Sequence, residues 1–313
     1  MSTAPLVAIS VVSWNTAAST LQCLEALHAS RYASCRIVLV DNASRDDSVA
    51  RVRERWPDLA IVRSDENLGF AGGHALGWHT AQAWGADAIW LVNSDAMAEP
   101  EALGRLVDAW HTHGDALYGA APLVARDDGT TLLNFPEKYL DPNGVPRAFR
   151  RDRPVVFDAA WRSRAPLRVG AVAGSCFFVP SRVAQAHGWF DPAWFMYCEE
   201  VDYCYRLRAA GVASWLVPRA RVQHAGGGSH RERPSVDDAV AYYRARNEIV
   251  LAQRHSGCVV GAVTAAKKFA RGIVTALHAP RRGALIVRGA FDAVAGRLGK
   301  TIAPEDGLGG ADA

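Results

Sequence analysis

The chain has 313 residues, 50% of them hydrophobic and 21% charged, with a formal net charge of +3 at neutral pH. That length suits one large α/β domain, alone or with an appendage, and the near-neutral charge excludes a surface built throughout for nucleic acid. Six cysteines without a CxxC pair or zinc-ligand spacing argue for reduced, partly buried thiols over a disulfide framework.

In chain order, the opening "MSTAPLVAISVVSWN" lacks a positive n-region and reads as a first strand at 6–13, not as a signal peptide. Helix at 17–29, strand at 36–40 and a short helix at 48–55 follow, then strand at 59–63, helix at 71–84 and strand at 88–92. Continuous apolar strands alternating with helices predict a Rossmann-like, mostly parallel sheet covered by helices on both faces. In such sheets ligands bind beyond the carboxyl ends of the strands, where Ser13, Asn15, Asp41, Asn42, Asn93 and Asp95 cluster. From 126 to 168 the pattern dissolves into Pro, Gly, Arg and Asp, as expected of a functional or disordered loop. A buried strand returns at 169–180, an amphipathic helix opens near Glu199, and "ASWLVP" reads as a short edge strand stopped by Pro218. The division expected is a domain over 1–235 and a basic, C-terminal helical extension over 236–313. No apolar run reaches the ~20 residues needed to span a bilayer. A cytoplasmic protein is expected, with a peripheral place at the inner face of a membrane left open.

Four short stretches carry candidate chemistry, each with a purely structural alternative. Asp41 in "VLVDNASRDDS" could accept the N3–H of uracil or thymine, or could close an Asx-turn. "NLGFAGGHALG" (67–77) sets glycines ahead of a helix, where bare N–H groups suit phosphate and where close helix packing is equally natural. It has neither the Walker lysine nor GxGxxG spacing. Asp95 in "WLVNSDA" could hold Mg²⁺ or Mn²⁺ against a diphosphate, or could be a cap. His224 in "RVQHAGGGSH" is a candidate partner for Asp95 on the same cation.

"MYCEEVDYCYRLRAAG" (196–211) places Glu199, Glu200 and Asp202 in a first helical turn, where acids also offset the helix dipole. Val201, Cys204 and Leu207 form one stripe, with Glu200 close to it and Asp202 nearly opposite, set to pair with Arg206 at i,i+4. Gly211 stands where a left-handed cap belongs. Toward the C-terminus, Lys267, Lys268, Arg271, Arg281, Arg282, Arg288, Arg297 and Lys300 alternate with apolar runs. Such helices suit an anionic bilayer, an oligomer contact or plain solvent.

Taken in order, "VVSWN", "VDNASRDDS", "NLGFAGG", "VNSDA", "GWFDPAWFMYCEEVDYCYRLRAAG", "VPRARVQHAGGGS" and "YYRARNEIVL" resemble the family 2 inverting glycosyltransferases of GT-A fold. The resemblance runs over 7–255 and is nearest to a rhamnosyltransferase-like branch. It implies a nucleotide-sugar donor, a divalent cation (Mg²⁺ or Mn²⁺), and transfer with inversion to a hydroxyl of a glycan or lipid-linked acceptor. It assigns the nucleobase contact to Asp41, further donor contacts to Asn67, Gly69 and Asn93, and the metal to Asp95 and His224. The general base falls on Glu200, with Glu199, Asp191 and Trp194 in acceptor or supporting roles. Two positions depart from the family pattern. Glu200 replaces the usual Asp, one methylene longer, and Ala75 beside His74 replaces an Asn of the glycine-rich stretch. A nucleotidyltransferase would need an Arg/Lys-bearing loop after the first strand, which "SVVSWNTAAS" lacks. A non-catalytic sugar- or lipid-binding protein on the same fold is the other class, and homo-oligomerisation is open.

Overall fold

The β-branched runs of the first half become central strands, because side chains that are buried on both sheet faces must be apolar at every position. The computed structural model describes residues 4–127, 130–134, 139, 141, 155–224 and 234–304. Val7–Ser13 (β1), Ala17–His28 (α1), Cys35–Asp41 (β2), Ser48–Arg55 (α2) and Ala60–Arg63 (β3) come first. Gly69–Ala83 (α3), Ala88–Asn93 (β4), Ala96–Ala98 (β5), Ala102–His113 (α4) and Leu117–Ala125 (β6) follow. Each expected element of this half is present, with ends shifted by one or two residues.

Among the described residues the main sheet runs β3-β2-β1-β4 and continues through Cys176–Pro180 (β10), β6 and Ser214–His224 (β11) to β5. The β3-β2-β1-β4 half is parallel, β10 is antiparallel to β4 and β6, and β11 returns parallel to β6. β1 lies between β2 and β4, so Ser13 stands level with Asp41 and Val12 with Asn93. The strand ends that carry polar residues therefore open on one edge, at the point where successive strands lie on either side of β1.

Both faces are covered. Ile9, Leu39, Trp90 and Phe178 pack under α1, α2 and α4. Ala8, Leu91 and Phe177 share the other cluster with Trp78 of α3 and with Val201 and Leu207 of Glu199–Ala209 (α7). Ile249 and Leu251 of Pro234–Ser256 (α8) belong to that same cluster. Cys258–Ala276 (α9) and Pro280–Val294 (α10) complete the extension.

Three parts of the second half depart from expectation. The segment after β6 is not wholly irregular. Thr131–Leu133 (β7) pairs β6, Val155–Val156 (β8) pairs β7, and Ala159–Ser163 (α5) leads to Leu167–Val169 (β9) on β11. The strand expected over 169–180 is two strands, β9 and β10, with 170–175 linking them. Ser181–His187 (α6) follows β10. Nor does Pro218 stop an edge strand. β11 continues to His224 inside the sheet, and its register on β6 slips between Val217 and Arg221. Proline cannot donate to the ladder, so it falls in the bulge, which lets the strand go on.

Candidate active site

β11 and β5 bring the two expected metal ligands together. His224 is the last residue of β11 and pairs with Ala96, the first of β5 and the neighbour of Asp95. His224 Nε2 lies 3.1 Å from Asp95 Oδ1, with both side chains nearly buried. Asn93 Nδ2 approaches the same Nε2 at 3.3 Å, and Asn134 Nδ2 stands 2.8 Å from His224 Nδ1. Two ligands on adjacent corners of an octahedron around a small divalent cation sit about 3 Å apart. Asp95 and His224 have that spacing, and two protein ligands with diphosphate oxygens and waters suit Mg²⁺ or Mn²⁺. Were a cation held on Nε2, the ring proton would sit on Nδ1, and Asn134 would present its carbonyl end to it after a 180° amide turn. Among the described residues no group of three His, Cys, Asp or Glu could hold a metal ion, so Asp95 and His224 are the pair the described residues offer. The glycines after His224 lie outside the described residues.

Asp41 ends β2 and is 1% exposed. Its Oδ1 accepts from Ser44 N at 3.2 Å, and Arg63 Nε donates to Oδ2 at 3.1 Å. The Asx-type turn expected as an alternative is thus present. Each oxygen keeps a further lone pair, so the turn does not use up the acceptor. Arg63, missed in the sequence, holds the carboxylate at the rim.

The glycine-rich stretch is used for packing. Asn67 Oδ1 accepts from Asn42 Nδ2 at 3.1 Å and from Gly69 N at 2.9 Å, while Leu68 N donates to Asn42 Oδ1 at 2.9 Å. Gly69 has φ +69°, and a β-carbon there would collide with the carbonyl of Phe195, whose oxygen accepts from Phe70 N at 2.8 Å. The turn thereby docks onto the loop that precedes α7. His74 is fully buried, 3.0 Å from Ser10 Oγ through Nδ1, and its Nε2 has no partner among the described residues. Burial pushes its pKa down to about 3, so it is a neutral core group.

The acidic helix start sits on an unusual backbone. Phe195, Tyr197 and Cys198 have φ of +65°, +68° and +73°, the left-handed region that non-glycine residues avoid. Each such residue costs about 1–3 kcal/mol unless its surroundings hold it. Two residues of α8 do so. Asn247 Nδ2 donates to the carbonyls of Trp194, Met196 and Tyr197 at 3.0, 2.8 and 2.9 Å. Arg246, fully buried, donates to Trp194 O at 2.9 Å, Gly299 O at 2.7 Å and Thr301 Oγ1 at 2.9 Å. Both belong to "YYRARN", a run the sequence singled out without a role.

Within α7, Val201, Cys204 and Leu207 are buried, as the stripe predicted. Asp202 pairs Arg206 Nε at 3.0 Å, also as predicted, but it does not face solvent. It is 1% exposed and takes His255 Nε2 at 2.9 Å from α8 as well. Burial alone would raise its pKa. The hydrogen bond from His255 and the Arg206 and Arg254 charges outweigh that and lower it. Asp191 caps Ala193 N at 2.9 Å and binds Arg254 at 3.1 Å, and Trp194 is buried beneath Arg254.

Glu199 is 3% exposed, and its Oε2 has no partner among the described residues. Burial, then the neighbouring Glu200, hold its carboxyl well above the ordinary range. Glu200 is half-buried, and desolvation raises its pKa, with the Arg244 charge opposing. Arg244 also stacks over Tyr197 at 4.9 Å, a cation beside the acids that sequence reasoning missed. Gly174 passes close by: a β-carbon there would lie 3.5 Å from Glu200 Cγ. The next residue, Ser175, accepts from Asn93 N at 3.1 Å, so one short loop joins the Glu200 side to the Asn93–His224–Asp95 side.

Beyond the strand ends, then, the fold and its polar rim define an α/β transferase of the GT-A type. The chain belongs to glycosyltransferase-like family 2, whose model, "Glycosyltransferase like family 2", matches residues 4–247. It is 28% identical over 252 residues to the N-acetylglucosaminyl-diphospho-decaprenol L-rhamnosyltransferase of Mycobacterium tuberculosis, covering 71% of this chain and 76% of that one. A galactofuranosyltransferase of Mycolicibacterium smegmatis is 37% identical over a shorter stretch, 32% of this chain and 33% of its own. The fold is similar to that of the mannosyltransferase PcManGT from Pyrobaculum calidifontis, solved with GDP-Man and Mn²⁺. There the TM-score is 0.55 and the identity 16%, over 93% of this chain and 87% of that one. It is also similar to GalNAc-T7 solved with UDP, GalNAc and Mn²⁺ (TM-score 0.58, 15% identity), covering 80% of this chain and 48% of that longer one.

Proposed function

We propose that the protein is an inverting, metal-dependent glycosyltransferase that moves L-rhamnose from dTDP-rhamnose to a hydroxyl of a glycan or lipid-linked acceptor. Its place of work is the cytoplasmic side of a membrane. The observation that carries the reading is that two successive residues, Gly174 and Ser175, border Glu200 and Asn93 respectively, so the carboxylate and the Asn93–His224–Asp95 group flank one short turn. A single displacement needs those two functions on opposite sides of one sugar carbon. Glu200 takes the proton of the acceptor hydroxyl, whose oxygen bonds to the anomeric carbon from the face opposite the leaving group. The bond from that carbon to the diphosphate oxygen breaks, and the electron pair leaves with the nucleoside diphosphate. Asp95 and His224 would hold a divalent cation, which would supply Lewis-acid neutralisation of the charge on the leaving diphosphate. Asp41 accepts the N3–H of the base, which uracil and thymine both offer. The rhamnose and the lipid-linked acceptor rest on the name of the mycobacterial relative.

A screen of nucleotide sugars for released nucleoside diphosphate, with and without Mn²⁺, tests this. Cation-dependent release from dTDP-rhamnose above other donors is expected. Asp95→Asn should lose that release by roughly 10²-fold or more, since a Lewis acid supplies several kcal/mol. Donor binding without turnover for every donor would favour a non-catalytic sugar-binding protein, and an unchanged metal dependence in Asp95→Asn would remove that residue from the site.

A further inference from the structure

Charge is distributed unevenly along this chain. Residues 249–291 contain no Asp or Glu and seven Lys or Arg, within a protein whose net charge is only +3. That stretch forms the end of α8, all of α9 and most of α10. Four of its cations have carboxylate partners: Arg254 with Asp191 at 3.1 Å, Lys268 with Glu248 at 2.6 Å, Arg281 with Asp238 at 3.0 Å and Arg288 with Asp292 at 3.8 Å. Arg271 and Arg282 have no carboxylate partner among the described residues and are exposed.

The apolar residues of α9 point the wrong way for a helix that only has to cover a core. Val259, Ala262, Ala266, Ala270, Ile273 and Leu277 recur at intervals of three and four, which places them on one stripe, and all six are exposed. Val259 is 77%, Ile273 63% and Leu277 75% exposed. At its C-terminal end the stripe opens into a groove of about 650 Å³ against α10, walled by Phe269, Ile273, Leu277, Val287 and Phe291 with Arg288 at its rim. Scattered single exposed apolar residues are ordinary, whereas a continuous stripe flanked by cations marks a surface that is covered in use. No helix among the described residues is long and apolar enough to cross a membrane, so the stripe would lie on a bilayer and not span it.

We propose that the α9–α10 hairpin docks on an anionic phospholipid surface, with the α9 stripe and Phe291 entering the headgroup boundary and the flanking arginines and lysines meeting lipid phosphates. Charge complementarity selects this occupant over a second copy of the chain. Two such hairpins face to face would bring like charges together with no carboxylate among residues 249–291 to answer them. The surface is also tied to the chemistry. Gly299 N, just past α10, donates to Ala193 O at 2.7 Å in the loop that leads to Glu199 and Glu200. A bilayer held by the hairpin would deliver a lipid-borne hydroxyl to that side of the molecule. This purpose rests on the proposed acceptor, but the docking itself does not.

The test is co-sedimentation of the full chain with vesicles of phosphatidylcholine alone or with phosphatidylglycerol added, at low and high salt, without donor or acceptor. Binding is expected to anionic vesicles only, and to weaken in high salt. The double substitution Ile273→Asp, Leu277→Asp should lower binding at least ~10-fold, because two exposed apolar side chains that would enter the bilayer are lost. Arg271→Gln with Arg282→Gln should lower it about tenfold. Both variants should keep the metal-dependent donor hydrolysis of the parent, which shows that they fold. No binding to anionic vesicles at low salt overturns the proposal, as does equal binding of the apolar double variant. A stable dimer that Leu277→Asp breaks, with no vesicle binding, would make a second copy the occupant and also overturn it. If the chain hydrolyses no donor yet binds vesicles as described, the proposed function fails and the docking surface stands.

Discussion

The two sides of the candidate site are held by different means. On the donor side, Asp41 and Asn93 end β2 and β4, both held in register by main-chain pairing with β1, and Asp95 stands directly before β5, which pairs with β11. On the acid side, Glu199 and Glu200 follow a loop of left-handed residues, and the groups that hold it, Arg246 and Asn247, come from about fifty positions later. Strand-end chemistry is inherited from the sheet, and it tolerates change elsewhere. The acids depend on a few buried side-chain hydrogen bonds whose loss frees a strained backbone. The difference predicts where a substitution acts on chemistry alone and where it acts through position.

The largest effect expected is at Glu200. Glu200→Gln should lower kcat by ~10²–10⁴-fold with donor affinity retained, because only proton removal needs this carboxylate. Glu199→Gln should be tolerated. Burial and the neighbouring Glu200 push the Glu199 carboxyl toward its neutral form, which a glutamine copies in size and shape. Since the Glu200 pKa is raised and the base must be ionised, activity should climb with pH along a limb displaced above the ordinary carboxylate range. Arg244 opposes the rise, so Arg244→Gln should move that limb to higher pH. Rate profiles of the four proteins decide it. A dead Glu199→Gln beside an active Glu200→Gln would reverse the assignment of the base.

Next is the clamp. Asn247→Ala takes the side-chain donor from the Met196 and Tyr197 carbonyls, while Trp194 O keeps Arg246 and Met196 N, a loss of about 1–3 kcal/mol. If the clamp serves position as well as stability, kcat per folded molecule should fall while the donor KM stays, since the strand-end residues are untouched. Denaturant unfolding alongside steady-state kinetics separates the two. A variant that is less stable but turns over normally when folded would make Asn247 a stability residue only.

The same contrast explains what could be read from the sequence. Alternation of apolar runs with 3.6-period segments is local, so β1 to β4 and their polar ends were legible, as was the stripe of α7 with Asp202 and Arg206. Pro218 misled because a proline ordinarily ends pairing, and only the partner strand β6 reveals the bulge that absorbs it. The glycines of 67–77 suited a phosphate and close packing equally in the sequence, and the packing at Gly69 is made against Phe195, a contact across more than a hundred residues. Asn134, Arg63 and Arg244 gave no local signal, since what makes each of them part of the site is a neighbour from another element. Arg246 and Asn247 did give one, the polar pair inside the helix-like "YYRARN", where a buried guanidinium has to be fully satisfied.

The smallest effect tests where the acid side stops being chemical. Asp202 stands two residues from Glu200 in the same helical turn, but its carboxylate faces α8 and binds Arg206 and His255. Asp202→Asn keeps the shape and removes the charge. It should lower stability at neutral pH by about 1.5–3 kcal/mol, the range for a hydrogen bond to a charged group, with the partly exposed Arg206 tempering the loss. The folded pKa of Asp202 is lowered, so its contribution is complete above the unfolded carboxylate value and is lost as pH falls through the folded one. The gap between parent and variant should therefore be full at neutral pH and close in acid, and kcat should stay near that of the parent. Urea unfolding at several pH values, with turnover at neutral pH, measures both. A gap that persists in acid would mean the asparagine disturbs packing, not charge. A collapse of kcat at unchanged stability would place Asp202 with Glu200 in the chemistry, and the line drawn between the two faces of α7 would have to move.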